Sequence, residues 1–139
     1  MSPGSAFRTL YGLPAAGSPP FLLAPMAGYT AAPMRRLCHA HGAALTYTEM
    51  ANDLGLLHES DKTWRLLETF DDEGPVIAHL YGSDPGSLAE AAARVAASGR
   101  FVGVDLNAGC PVHKVTANGA GAALIKDPTR IHAILAAMR

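Results

Sequence analysis

The sequence predicts an α/β chain that forms about the first four βα units of a TIM (β/α)8 barrel. Three observations carry this reading. Short apolar runs begin near residues 21, 44, 76 and 101, and each is followed by a capped amphipathic segment, the pattern of strand-helix units joined by right-handed crossovers. Polar and reactive side chains gather where these runs end, at Pro25-Met26, Thr48-Glu49, His79 and Asn107 to Cys110. That carboxyl edge is where barrels build their sites. Finally, no Gly-x-Gly-x-x-Gly follows the first run, which disfavours an open dinucleotide-binding sheet.

Residues 1–20 are rich in Ser, Gly, Ala and Pro and close on Ser18-Pro19-Pro20, where proline removes the donors a helix needs, so they read as a flexible leader. The domain is residues 21–139. Its first strand is residues 21–24, and Pro33 opens a helix whose apolar positions Met34, Leu37, Cys38 and His41 fall at helical spacing. The second strand covers residues 44–50 and ends in Thr48-Glu49. A long connection follows, with a helical turn around residues 64–67 and an acidic close at Asp71-Asp72-Glu73-Gly74. The third strand is residues 76–81. Asp84-Pro85 then caps and starts a helix that buries Leu88, Ala91, Ala92 and Val95, and Gly99 ends it in a left-handed conformation. The fourth strand, residues 101–106, leads into a glycine-rich loop. Asp127-Pro128 opens a last helix with Ile131, Ile134, Leu135 and Met138 inward.

Composition narrows the function classes. With 139 residues, 49% hydrophobic and 17% charged, the chain has the means to bury a core and is not a solvating disordered segment. A net charge of -1 gives no electrostatic footprint for tight nucleic-acid binding by this chain alone. No apolar run reaches the ~18 residues a membrane span needs. The first residues lack a secretory pattern, and Cys38 and Cys110 have neither disulfide-framework nor zinc-site spacing. A reducing, cytoplasmic setting without a bound metal is expected.

The segment richest in chemistry is Asp105-Leu106-Asn107-Ala108-Gly109-Cys110-Pro111, a strand end with an amide, a glycine and a thiol beside proline. A cysteine there acts as a nucleophile, acts as a general acid, or is simply a small buried hydrophobe. No histidine is placed by sequence to deprotonate Cys110, which favours proton donation over thiolate attack.

Five segments in order, Ala24-Pro25-Met26-Ala27-Gly28, Pro33 with Arg35-Arg36-Leu37-Cys38, Thr48-Glu49-Met50, Leu80-Tyr81-Gly82-Ser83-Asp84-Pro85 and Asn107-Ala108-Gly109-Cys110-Pro111, continue into Lys114-Val115 and Gly119-Ala120-Gly121. Together they resemble the N-terminal half of the tRNA-dihydrouridine synthases. The resemblance implies an FMN-containing barrel that reduces the C5=C6 bond of uridines in tRNA, with NADPH recharging the flavin. Cys110 matches the family's proton donor, and Pro25, Met26 and Ala27 match the turn that lines the flavin. His79 stands where the family usually has glutamine; it either meets the flavin's pyrimidine edge or is a satisfied core histidine. Asn107 matches a residue near flavin and uracil, against the plainer reading of an Asn that stabilises its own turn. Glu49 bonds substrate or pairs with a basic neighbour, and Lys114 stands where a substrate phosphate contact is plausible. Arg35-Arg36 reads as a solvated helix face more readily than as a phosphate clamp. Ala31 and Met34 replace the family's frequent Asp and Phe, which removes a helix cap and softens packing.

By the same resemblance the remaining barrel strands, a flavin phosphate site and a C-terminal helical tRNA-binding domain are absent from these 139 residues. Weak FMN binding by the chain alone is expected, and its open edges point to self-association or to a complementary second half-barrel. Two rival readings remain: another FMN-dependent barrel oxidoreductase acting on a free pyrimidine or enone, and a catalytically inactive half-barrel or binding module.

Overall fold

A computed structural model describes residues 20–139, so the expected leader lies outside the described residues except for Pro20. In chain order the elements are β1 (Phe21–Leu23), α1 (Ala32–Ala40), β2 (Ala43–Tyr47), β3 (Ala51–Asn52), α2 (Asp53–Leu57), α3 (Asp61–Arg65), β4 (Val76–Tyr81), α4 (Pro85–Ala97), β5 (Gly103–Leu106), α5 (His113–Thr116), a 3-10 helix (Gly121–Lys126) and α6 (Pro128–Met138). All strand pairings are parallel.

The second expected strand is really two. β2 pairs with the start of β4 (Tyr47 opposite Ile77) and β3 with its end (Ala51 opposite Leu80), while β5 pairs with both Ile77 and Leu80 from the other side. β2 and β3 are therefore one interrupted strand, and the spatial order follows the chain without reversal. Such a singly wound arc is part of a barrel rather than a doubly wound sheet. Between the two pairings, four residue steps on β2–β3 answer to three on β4, so residues 48–50 form a bulge. Thr48 fills the break. Its N–H donates to the Ile77 carbonyl (3.0 Å), and its Oγ1 accepts from the His79 N–H (3.0 Å). The alternation that predicts an unbroken strand cannot register one extra residue.

β4 is the central strand, buried from Val76 to Leu80, and its side chains alternate between two layers. Ala78 and Leu80 face the helices and pack with Leu88, Ala91, Val95, Leu124 and Ile134 in the main core. Ile77 faces the other way onto Leu45, in a small cluster on the barrel-interior side. α4 follows expectation. Asp84 caps it by accepting from the Ser87 N–H (2.8 Å), Leu88, Ala91, Ala92 and Val95 are buried, and Gly99 has φ of 66°. Asp127 likewise caps α6 through the Arg130 N–H. There, however, Leu135 is half exposed, because only Ile134 sits squarely on the α4 seam. No helix among the described residues is long and apolar enough to cross a membrane.

α1 departs from its expected stripe. Met34 and Leu37 are exposed, while Ala32 and Arg35 are buried. Arg35 is thus not part of a solvated face. Its guanidinium is fully buried against Glu73, with Nε to Oε1 at 2.6 Å and Nη2 to Oε2 at 3.2 Å. It also donates to the carbonyls of Thr30 (2.7 Å) and Glu68 (2.6 Å). Arg36 does lie outside, paired with Asp72 and over the Phe70 ring. As expected, Ala31 provides no side-chain cap.

Removing one member of a buried, hydrogen-bonded ion pair strands the other charge, which costs about 3–5 kcal/mol, whereas exposed pairs are worth about 0–1. Arg35→Met should therefore lower the urea midpoint far more than Arg36→Met. Equal midpoints for the two variants would show that the buried pair carries no special weight.

Candidate active site at the carboxyl edge

Because side chains alternate along β4, His79 shares the interior-facing side with Ile77 and stands above it toward the carboxyl end. Its register partner on β5 is Asp105, and the two side chains meet, with Nδ1 and Oδ2 2.6 Å apart. Around this pair opens a hollow of about 490 Å³. The loop after β1 gives it Pro25 and Ala27, the bulge gives Met50, and the end of β5 gives Asn107 and Cys110. Five of the sequence-derived candidates, Pro25, Ala27, His79, Asn107 and Cys110, thus come together in one cavity.

Asn107 is buried and its amide is committed locally. Oδ1 accepts from the N–H groups of Gly109 (3.1 Å) and Cys110 (3.0 Å), and Nδ2 donates to the Met50 sulfur (3.2 Å). This is the turn-stabilising arrangement, and it makes Asn107 the residue that sets the backbone of Cys110. A second clamp holds that backbone from below. The Cys110 carbonyl accepts from the Ala122 N–H (3.0 Å), and Gly121, at φ of 59°, packs so closely that a Cβ there would lie 2.6 Å from the same oxygen. The Cys110 side chain is half-buried on the wall of the hollow.

Three candidates stand outside the lining. Met26 is exposed, but both its N–H and its carbonyl bond the Thr30 hydroxyl, which shapes the turn that carries Pro25 and Ala27. Glu49 accepts from the Gly28 N–H (2.5 Å), so it ties the bulge to this turn, and it has no basic partner among the described residues. Lys114 is exposed on α5.

Sequence reasoning passed over Met50 and Asp105 as site residues. The signal for Asp105 was available: an acidic residue alternating with Val104 and Leu106, in a strand that pairs with the one bearing His79. Met50 had none, since only the bulge turns it inward.

Tyr81 ends β4 on the same side as His79, half-buried beside a second hollow that includes Asp53 and Ser83. Burial, then the nearby Asp53 carboxylate, then Cys110 push its phenol above the ordinary tyrosine value. Among the described residues no group of His, Cys, Asp and Glu is arranged to hold a metal ion.

Two measurements test this geometry. A phenol raised in the folded state lends stability that is complete below about pH 10, the ordinary tyrosine value, and is lost as pH rises through the folded value. Tyr81→Phe should flatten the fall in stability above that pH; an unchanged slope would show the shift to be absent. Gly121→Ala combines a left-handed backbone with the Cys110 oxygen, and should cost about 1–3 kcal/mol and alter the thiol-reagent reactivity of Cys110. Unchanged stability together with unchanged reactivity would show that the clamp does not set the loop.

Comparison with known proteins shows which family the sequence resembles. The family model described as "Dihydrouridine synthase (Dus)" matches residues 22–139. The tRNA-dihydrouridine synthase B of Escherichia coli (strain K12) is 40% identical over 114 residues, covering 82% of this chain and 35% of that protein. The corresponding B protein of Pseudomonas aeruginosa is 40% identical over 118 residues, with 84% and 35% covered. A probable tRNA-dihydrouridine synthase of Treponema pallidum is 36% identical over 115 residues, with 83% and 34% covered. The chain spans about a third of the length of these relatives.

Proposed function

The chain belongs to the dihydrouridine synthase family, and on that footing we propose that residues 21–139 are the N-terminal half of the barrel of a flavin-dependent tRNA-dihydrouridine synthase. It reduces the C5=C6 bond of uridine in tRNA and works in the cytoplasm, with FMN as cofactor and NADPH as reductant. The observation that carries the reading is that Cys110 shares one hollow with Pro25, Ala27 and His79.

The hollow suits a flat heteroaromatic ring. Its size lies within the about 300–1,000 Å³ of small-molecule sites, and its wall is largely apolar with a few fixed polar groups. Pro25 and Ala27 would lie along the ring, with Met26 shaping their turn, and His79 would meet its polar edge. When bound, the flavin supplies a hydride to C6 of the uracil. Cys110 holds the proton that C5 must receive; its thiolate then regains a proton from solvent. Asn107 and Gly121 fix the backbone of that thiol, so less disorder has to be removed at the moment of transfer. A uracil stacked within tRNA cannot reach such a cavity, so the base must be turned out of its stack. Glu49 and the exposed Lys114 would contact the RNA. Phosphate sites in barrels usually follow strands seven and eight, so later strands complete FMN binding and a further helical domain supplies most of the basic RNA surface.

Cys110→Ala should abolish dihydrouridine formation in tRNA while flavin binding and its reduction by NADPH persist. Cys110→Ser should retain little activity, because a hydroxyl is the weaker acid. Full turnover by Cys110→Ala would remove the thiol from the chemistry. Comparable reduction of free uridine and tRNA would favour an oxidoreductase of free pyrimidines instead.

A further inference from the structure

We propose that Asp105 locks the imidazole of His79 as a hydrogen-bond acceptor, so that the hollow reads the N–H of a cyclic imide, the CO-NH-CO edge shared by uracil and isoalloxazine. The inference rests on the reading above, that rings of this class occupy the hollow.

A carboxylate only accepts hydrogen bonds, so the 2.6 Å contact between Asp105 Oδ2 and His79 Nδ1 places the ring proton on Nδ1. In the neutral ring the other nitrogen, Nε2, then carries a bare lone pair. Nothing among the described residues hydrogen-bonds Nε2. Yet no fully buried side-chain nitrogen or oxygen among them lacks a partner, so Nε2 is reached from the hollow that His79 lines.

The ring has little freedom to reverse. The residue is 8% exposed, the backbone N–H of His79 is held by Thr48 Oγ1, and its register partner is the same Asp105. Asn107 offers no competing acceptor, because its amide oxygen already serves Gly109 and Cys110. Asp105 itself, partly open to the hollow, adds further acceptor capacity to this wall. A ligand that turns a carbonyl toward Nε2 sets lone pair against lone pair, whereas one that turns an imide N–H toward it gains a bond. An amide side chain at this position can donate or accept by rotating. His79, held by Asp105, cannot, so the pair is more selective than an amide would be.

Long-range 1H–15N correlation NMR on the full chain at mildly alkaline pH reads the ring directly. The expected result is a neutral His79 protonated at Nδ1; the Nε2–H tautomer or an imidazolium overturns the proposal. Titration with FMN and with uridine, each beside its N3-methyl counterpart, follows at the same resonances. Methylation should weaken binding at least about tenfold. Loss confined to FMN identifies the cofactor's imide as the one read, loss confined to uridine identifies the substrate's, and either supports the proposal. Equal affinity of N–H and N-methyl forms, with binding intact, overturns it and leaves the FMN and uridine assignment standing. No binding of any form overturns the proposal, whereas the FMN and uridine assignment, which counts on later strands to complete the FMN site, is decided by the Cys110 variants.

A double-mutant cycle isolates Asp105 as a positioning residue. Asp105→Asn should weaken imide binding severalfold in the native background and have no effect beside His79→Gln; additive effects overturn the coupling. Should Asp105→Asn fail to fold, the tautomer and the methylation comparison on the unaltered chain decide the matter.

Discussion

The buried ion pair between Arg35 and Glu73 is the constraint on which the site's geometry depends. It joins the first helix to the connection entering the central strand, across a sequence separation of 38 residues. Two charges removed from water are tolerated only when every remaining donor is used, and Arg35 also bonds the Thr30 and Glu68 carbonyls. Thr30 in turn holds both polar groups of Met26, and so fixes the turn that carries Pro25 and Ala27 to the wall of the hollow. A guanidinium outside the hollow therefore sets one wall of it.

The opposite walls are fixed by local devices. Thr48 completes the ladder at the bulge, and Glu49 reaches across to the Gly28 N–H, so the interrupted strand and the first turn move together. Asn107 and the Ala122 N–H hold the backbone of Cys110 from two sides. The result is a thiol on a loop with few degrees of freedom, in one hollow with His79 of β4 and Asp105 of β5. Precision here comes from committing polar side chains to backbone groups, which among the described residues lining the hollow leaves Cys110 and the His79–Asp105 pair for a ligand.

Much of this was legible in the residues themselves. The central strand, the Asp84 cap, the buried stripe of α4 and the left-handed Gly99 follow from local chemistry, and each stands as the pattern reads. The gathering of Pro25, His79, Asn107 and Cys110 follows from their shared place at strand ends. What escaped depends on distant partners. Arg35 looks like any surface arginine until Glu73 folds over it, and Met34 and Leu37 mimic a core stripe but are exposed. Asp105 looks like a polar interruption until β4 is laid beside it. Short helices such as α2 and the 3-10 turn offer too few periods for a pattern to show.

The bulge between Tyr47 and Ala51 has a consequence for how this segment can vary through evolution. The bulge holds one residue more than the ladder of β4 needs, so deleting Thr48 or Glu49 would restore unbroken alternation and leave Ala51 opposite Leu80. What would be lost is the contact of the missing residue, either the Thr48 hydroxyl on the His79 N–H or the Glu49 carboxylate on the Gly28 N–H. The extra residue is slack in the strand, and it lets one edge of the sheet reach the neighbouring turn without giving up its register.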